Sequence, residues 1–74
     1  MSAGADLMRV TNILCRERAR QGRTQNEVAR SMGRAQTTLS RYENGSMLPD
    51  VEALFLWAAA LGGRVVVEFP KEAA

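Results

Sequence analysis

The stretch "RTQNEVARSMGRAQTTLSRYENG", Arg23–Gly45, reads as two short helices hinged at a glycine. "TQNE" is a capping box: the Thr24 hydroxyl can accept from the Glu27 amide while the Glu27 carboxylate reaches back to the Thr24 amide. Val28 and Met32, four apart, give this helix an inward face, and Ala29 lets a neighbour approach closely. Gly33 ends it. The next helix spans about Ala35 to Asn44, with Leu39 and Tyr42 inward and Asn44-Gly45 as its stop. The outward positions are polar or basic, with "AQTT" opening the second helix. A hairpin that only buried itself would not need that dressing.

Working outward, Leu7, Val10 and Leu14 recur at helical spacing and Ile13 widens the stripe. They predict a first helix from about Asp6 to Gln21, with Gly22 as its stop. Beyond Gly45, Pro49 forces an extended approach, and Asp50 is a good N-cap for a fourth helix running to Leu61 before Gly62-Gly63. The run "RVVVEF" (64–69) is β-branched and alternates as a strand does. Val65, Val67 and Phe69 fall on one face and Arg64, Val66 and Glu68 on the other. The chain has no internal repeat, and only "PKEAA" looks frayed.

Seventy-four residues make one domain with a marginal core, since a chain this short buries only about 60% of its unfolded surface. Such domains gain stability from a disulfide, a metal or a second subunit. Cys15 is the only cysteine, so it cannot pair within the chain, and its expected role is helix packing rather than nucleophilic chemistry. With no histidine and no second thiol, neither a metal nor any other cofactor is expected. Oligomerisation is left. The net charge is +2, but Cys15–Gly45 carries +4, from Arg16, Arg18, Arg20, Arg23, Arg30, Arg34 and Arg41 against Glu17, Glu27 and Glu43. Residues 46–74 carry −2. A basic middle facing a polyanion and a separate second surface fit that division, as does ordinary solvation of helix charges. No segment approaches the ~18 apolar residues of a membrane span. The N-terminus lacks the basic and apolar regions of a signal peptide, so a cytoplasmic protein is expected. An enzyme is not: there is no histidine, no acid pair placed for a cleft and no phosphate loop.

Two short helices joined by a tight glycine turn fit a helix-turn-helix. The chain resembles the Cro/phage-repressor, or XRE, family of such DNA-binding proteins. Thr24, Gln25, Val28, Ala29, Gly33, Thr38, Leu39, Ser40, Glu43, Gly45, Pro49, Leu54, Ala58, Ala60, Leu61 and Gly62 all fall in register with the family pattern, over residues 23–62. The resemblance implies that Gln36, Thr37 and Arg41 meet base edges. Their chemistry suits that role, because glutamine pairs with adenine, arginine with guanine, and a threonine methyl meets that of thymine. It implies phosphate contacts for Gln25 at a helix N-terminus, and backbone-side contacts for Thr24, Ser40 and Asn44. Arg23, Arg30 and Arg34 serve either phosphate contact or general solvation. Arg18 and Glu43 match a pair that ties helix 1 to helix 3. Three positions depart from the pattern: Arg23 and Arg34 stand where apolar residues are usual, and Ala35 replaces the usual Ser or Thr N-cap, at a cost of about 1 kcal/mol.

"VEALFLWAAALGG" is more apolar than one buried stripe requires. Val51, Leu54, Trp57, Ala58 and Leu61 can cover the core, leaving Phe55, Leu56 and Ala59 to a thicker core or a second surface. A lone strand leaves its ladder unpaired. The expected remedy is pairing of "RVVVEF" with its own copy, using Leu56, Val65, Val66, Val67 and Phe69 as a dimer surface. The expected fold is thus mostly α: a four- to five-helix Cro/repressor-like helix-turn-helix domain (1–62), followed by a dimerisation strand and short tail (63–74). The expected function is a dimeric, sequence-specific DNA-binding transcriptional regulator, a repressor on a palindromic operator. The alternative is an antitoxin that binds a toxin and autoregulates its operon, which a helix-turn-helix followed by a strand also resembles.

Overall fold

The computed structural model describes residues 3–71. Four helices follow in order: α1 (Ala3–Arg20), α2 (Gln25–Met32), α3 (Gln36–Asn44) and α4 (Val51–Ala60). Helix α2 packs on both α3 and α4, and α1 closes against the same two. None of the four is long and apolar enough to cross a membrane.

Local signals set most boundaries. The capping box forms in full, with Glu27 N donating to Thr24 Oγ1 at 3.1 Å and Thr24 N donating to Glu27 Oε1 at 2.8 Å. Gly33 takes φ +70°, a left-handed conformation that costs a residue with a Cβ about 1–2 kcal/mol. There the Arg34 amide donates back to the Ala29 carbonyl at 2.9 Å and turns the chain sharply into α3. Asp50 Oδ1 accepts from Ala53 N at 2.8 Å and starts α4. Ala35 holds N-cap geometry for α3 but offers no side-chain bond.

The core is centred on Val28, Ala29, Leu39, Ala53 and Trp57, all fully buried. Burial of an aliphatic side chain such as Leu39 contributes about 1.5–3 kcal/mol relative to exposure. Met32, Tyr42, Ala58 and Leu61 extend this core, and the Tyr42 ring stacks on Trp57 with centroids 6.1 Å apart. The inward faces expected of α2 and α3 are the observed ones.

The flanking helices differ from expectation at particular positions. Ile13 is 59% exposed: it lies about 100° around α1 from the buried Leu14, off the packed face. Thr11 is buried instead, its hydroxyl donating to the Met8 carbonyl at 2.9 Å. Val51 is 64% exposed, because it sits in the first turn of α4, two turns ahead of Ala58 on the same azimuth and beyond the core. Ala53 takes the buried place where α4 meets its neighbours. Leu56 leans against the core half-buried, while Phe55 and Ala59 face out.

Residues 63–71 carry neither helix nor strand, and among the described residues there is no β-ladder. Val66, Val67 and Phe69 are exposed, Phe69 at 86%. Residues 72–74 of the expected terminal unit, and residues 1–2 of the first, lie outside the described residues.

Candidate nucleic-acid interface

Helix α3 is amphipathic in the sense a groove-reading helix requires. Leu39 and Tyr42 are buried, while Gln36, Thr37 and Arg41 are exposed and Ser40 is half-buried. Thr37 and Arg41 stand one turn apart, and Ser40 and Asn44 continue along the same side. The structure therefore gathers the residues expected to meet bases on one outward face.

Beneath that face lies a chain of polar contacts. Arg18 of α1 grips Glu43 of α3 with two parallel bonds, Nε to Oε2 at 2.7 Å and Nη2 to Oε1 at 2.8 Å. The third Arg18 nitrogen donates to the Arg23 carbonyl at 2.8 Å, so one guanidinium ties α1 to both the α1–α2 turn and α3. The pair is enclosed, with side chains 17% and 6% exposed for Arg18 and Glu43. Burial pushes the Glu43 carboxyl upward, but the Arg18 guanidinium and the Gln25 amide outweigh it and hold it below the usual carboxylate range. Gln25 Nε2 donates to Glu43 Oε1 at 2.9 Å, and Gln36 Nε2 donates to Gln25 Oε1 at 2.6 Å. The expected ion pair is thus present as the anchor of a network reaching from α1 to the first residue of α3. Burial and the neighbouring Glu43 carboxylate raise the Cys15 thiol pKa, which keeps it protonated and unreactive.

The residues expected at phosphates divide into those left outward and those already engaged. Gln25 belongs to the network just described, and Thr24 caps α2. Arg23 donates through Nη1 to the Ala60 carbonyl at the end of α4, and through Nη2 to Ser31 Oγ at 3.3 Å. Arg34 pairs with Glu52 of α4 at 2.8 Å, and the bond raises its pKa. Both arginines therefore contact α4. Asn44 Oδ1 accepts from Ser46 N at 2.9 Å and shapes the turn after α3. By contrast Arg16, Arg30 and Arg41 make no ion pair among the described residues. Sequence reasoning missed the Arg23–Ala60 contact, and no local signal could have revealed it, because the partners lie 37 residues apart.

Among the described residues no cluster of acidic, histidine and cysteine side chains could hold a metal ion. Comparison with known proteins gives no match among curated proteins or solved structures. A helix-turn-helix family model matches residues 15–66, more than half of the chain and all of the α2–α3 hairpin. With an exposed polar α3 braced from below, that match makes the chain a member of the XRE-type helix-turn-helix family, a DNA-binding transcription regulator.

Proposed function

We propose that the chain works as a dimeric repressor that reads a palindromic operator, laying α3 of each copy in the major groove. The observation that carries this reading is the outward face of α3, where Gln36, Thr37 and Arg41 stand exposed on a helix whose other face is locked by Leu39, Tyr42 and Glu43. Gln36 and Arg41 supply the paired donors and acceptors that adenine and guanine edges require, and Thr37 offers a methyl to thymine. On this reading Ser40 and Asn44, on the side of α3 that carries Thr37 and Arg41, meet phosphates, while Arg23 and Arg34 also contact α4. Residues 63–71, which carry Val65, Val66, Val67 and Phe69 and join no β-ladder among the described residues, supply the dimer surface on this reading. Two copies would then set their α3 helices about 34 Å apart, one turn of B-DNA.

The test is binding-site selection from a random DNA pool, followed by gel-shift titration of Gln36→Ala and Arg41→Ala on the selected site. Each substitution is expected to reduce discrimination at one base position by about 1–3 kcal/mol. Preference for the selected site over random DNA that survives both substitutions together refutes the base-reading assignment. A second reading, an antitoxin whose terminal segment binds a toxin, is favoured by the same exposed Val66, Val67 and Phe69. It predicts that the chain captures a toxin encoded beside its gene.

A further inference from the structure

After Gly62 the chain leaves α4 in a segment with neither helix nor strand, in which Arg64 and Glu68 flank three valines. Arg64 and Val65 line a shallow groove with Phe55, Ala59 and Gly63, whereas Val66 and Val67 are 58% and 77% exposed. Beyond Val65 the side chains are open to solvent on both alternating faces, Val66 and Glu68 on one and Val67 and Phe69 on the other. Neither Arg64 nor Glu68 has an ion-pair or hydrogen-bond partner among the described residues.

Resting on the dimer reading above, we infer that residues 64–68 of two copies form an antiparallel ribbon centred on Val66, with Arg64 of each copy facing Glu68 of the other. Symmetry supplies the first step. An antiparallel pair of identical strands is related by a two-fold axis perpendicular to the sheet, so a residue and its counterpart lie on the same face. Facing residues in the pair also share a face. Their numbers must therefore sum to an even value, and the ribbon must be centred on a residue.

Three centres keep the valines paired. Centred on Val67, Glu68 faces Val66 and Arg64 faces Pro70, which has no amide for the ladder. Centred on Val65, Arg64 faces Val66 and Glu68 falls opposite Gly62, which is held at φ +83° in the turn that ends α4. Centred on Val66, Arg64 meets Glu68 twice, Val66 meets itself, and Val65 meets Val67 on the opposite face. Only this register satisfies both charges, and cross-strand pairs of opposite charge favour it while like charges directly opposite oppose it. A two-stranded ribbon is marginal in water alone, so its apolar face must be covered. The exposed Phe55 supplies such a cover beside Val65.

The test uses the full chain carrying Cys15→Ala together with Val65→Cys, Val66→Cys or Val67→Cys, one at a time. Each reduced variant is sedimented at tens of micromolar, then oxidised mildly and run on a non-reducing gel. Val66→Cys is expected to cross-link into a covalent dimer, because self-facing Cβ atoms lie about 5 Å apart. In Val65→Cys and Val67→Cys the two thiols sit on diagonal positions about 7–8 Å apart, and both variants are expected to stay largely uncross-linked. In the chain without new cysteines, Arg64→Glu is expected to weaken dimerisation roughly tenfold, and adding Glu68→Arg to restore it. A dimer that cross-links best through Val65→Cys or Val67→Cys, or at none of the three, overturns the register and leaves dimerisation standing. So does a dimer indifferent to Arg64→Glu. A chain that sediments as a monomer overturns both.

Discussion

Replacing Glu43 by leucine leaves the Arg18 guanidinium four-fifths enclosed with its principal acceptor gone. Breaking a buried pair from one side costs about 3–5 kcal/mol, because the remaining charge cannot regain its hydration. Arg18 keeps its bond to the Arg23 carbonyl and some water, which places Glu43→Leu near the lower end, at about 3 kcal/mol. Arg18→Met removes the other side, and the orphaned carboxylate can escape part of its penalty by taking up a proton, so about 2–3 kcal/mol is expected. In the double variant two apolar side chains replace the pair, and its loss should fall short of the summed single losses by about 2 kcal/mol or more. Urea unfolding read through Trp57, fully buried and stacked on Tyr42, measures all four proteins. The pH dependence gives an independent check. Glu43 titrates lower in the folded protein than in the unfolded chain, so the stability it supplies is present above the unfolded carboxylate range. That stability drains as the pH falls through the lower folded value, and this portion of the acid limb should vanish in the double variant. Single losses that add within about 0.5 kcal/mol would refute the reasoning, since independent sites behave so.

Other positions give shorter tests. Ala35→Ser supplies the missing acceptor to α3 in backbone geometry already suited to an N-cap, and should raise stability by about 1 kcal/mol in the same urea titration. Gly33→Ala puts a Cβ on a residue at φ +70° and should cost about 1–2 kcal/mol, although nothing crowds the new methyl; an unchanged midpoint counts against strain as the reason for this glycine. Arg23→Ala removes the cap on the Ala60 carbonyl and should lower stability by about 1 kcal/mol. The salt dependence of DNA binding should stay unchanged, whereas a slope reduced by about one would return Arg23 to the phosphates.

The α2–α3 hairpin was legible in the sequence because its determinants are local. A capping box, a glycine at the turn and apolar residues three or four apart each act within one or two helical turns. Helix α4 was harder, since it is apolar nearly all round and periodicity does not choose a face for it. Close packing chose Ala53 over Val51. The Arg18–Glu43 pair was found through the family pattern, but Gln25 and Arg23 were expected at phosphates and are engaged within the protein. Their partners lie 18 and 37 residues away, contacts that only the assembled fold creates. The segment "RVVVEF" has the pattern of a strand and no ladder among the described residues, because a strand is defined by its partner and no other described segment supplies one.

The network under α3 also fixes a direction. A carboxylate can only accept, so Gln25 must turn its amide nitrogen toward Glu43 and its oxygen away. That oxygen can only accept in turn, so Gln36 must spend one of its two amide hydrogens on it. The outermost amide keeps one N–H and its carbonyl oxygen for whatever it meets, and it cannot swap the two by flipping without breaking the row. A negative charge buried against α1 thus acts as a compass for a side chain two residues removed from it. Protonating or deleting Glu43 would leave Gln36 in place but unoriented, its outward N–H and carbonyl oxygen free to exchange positions.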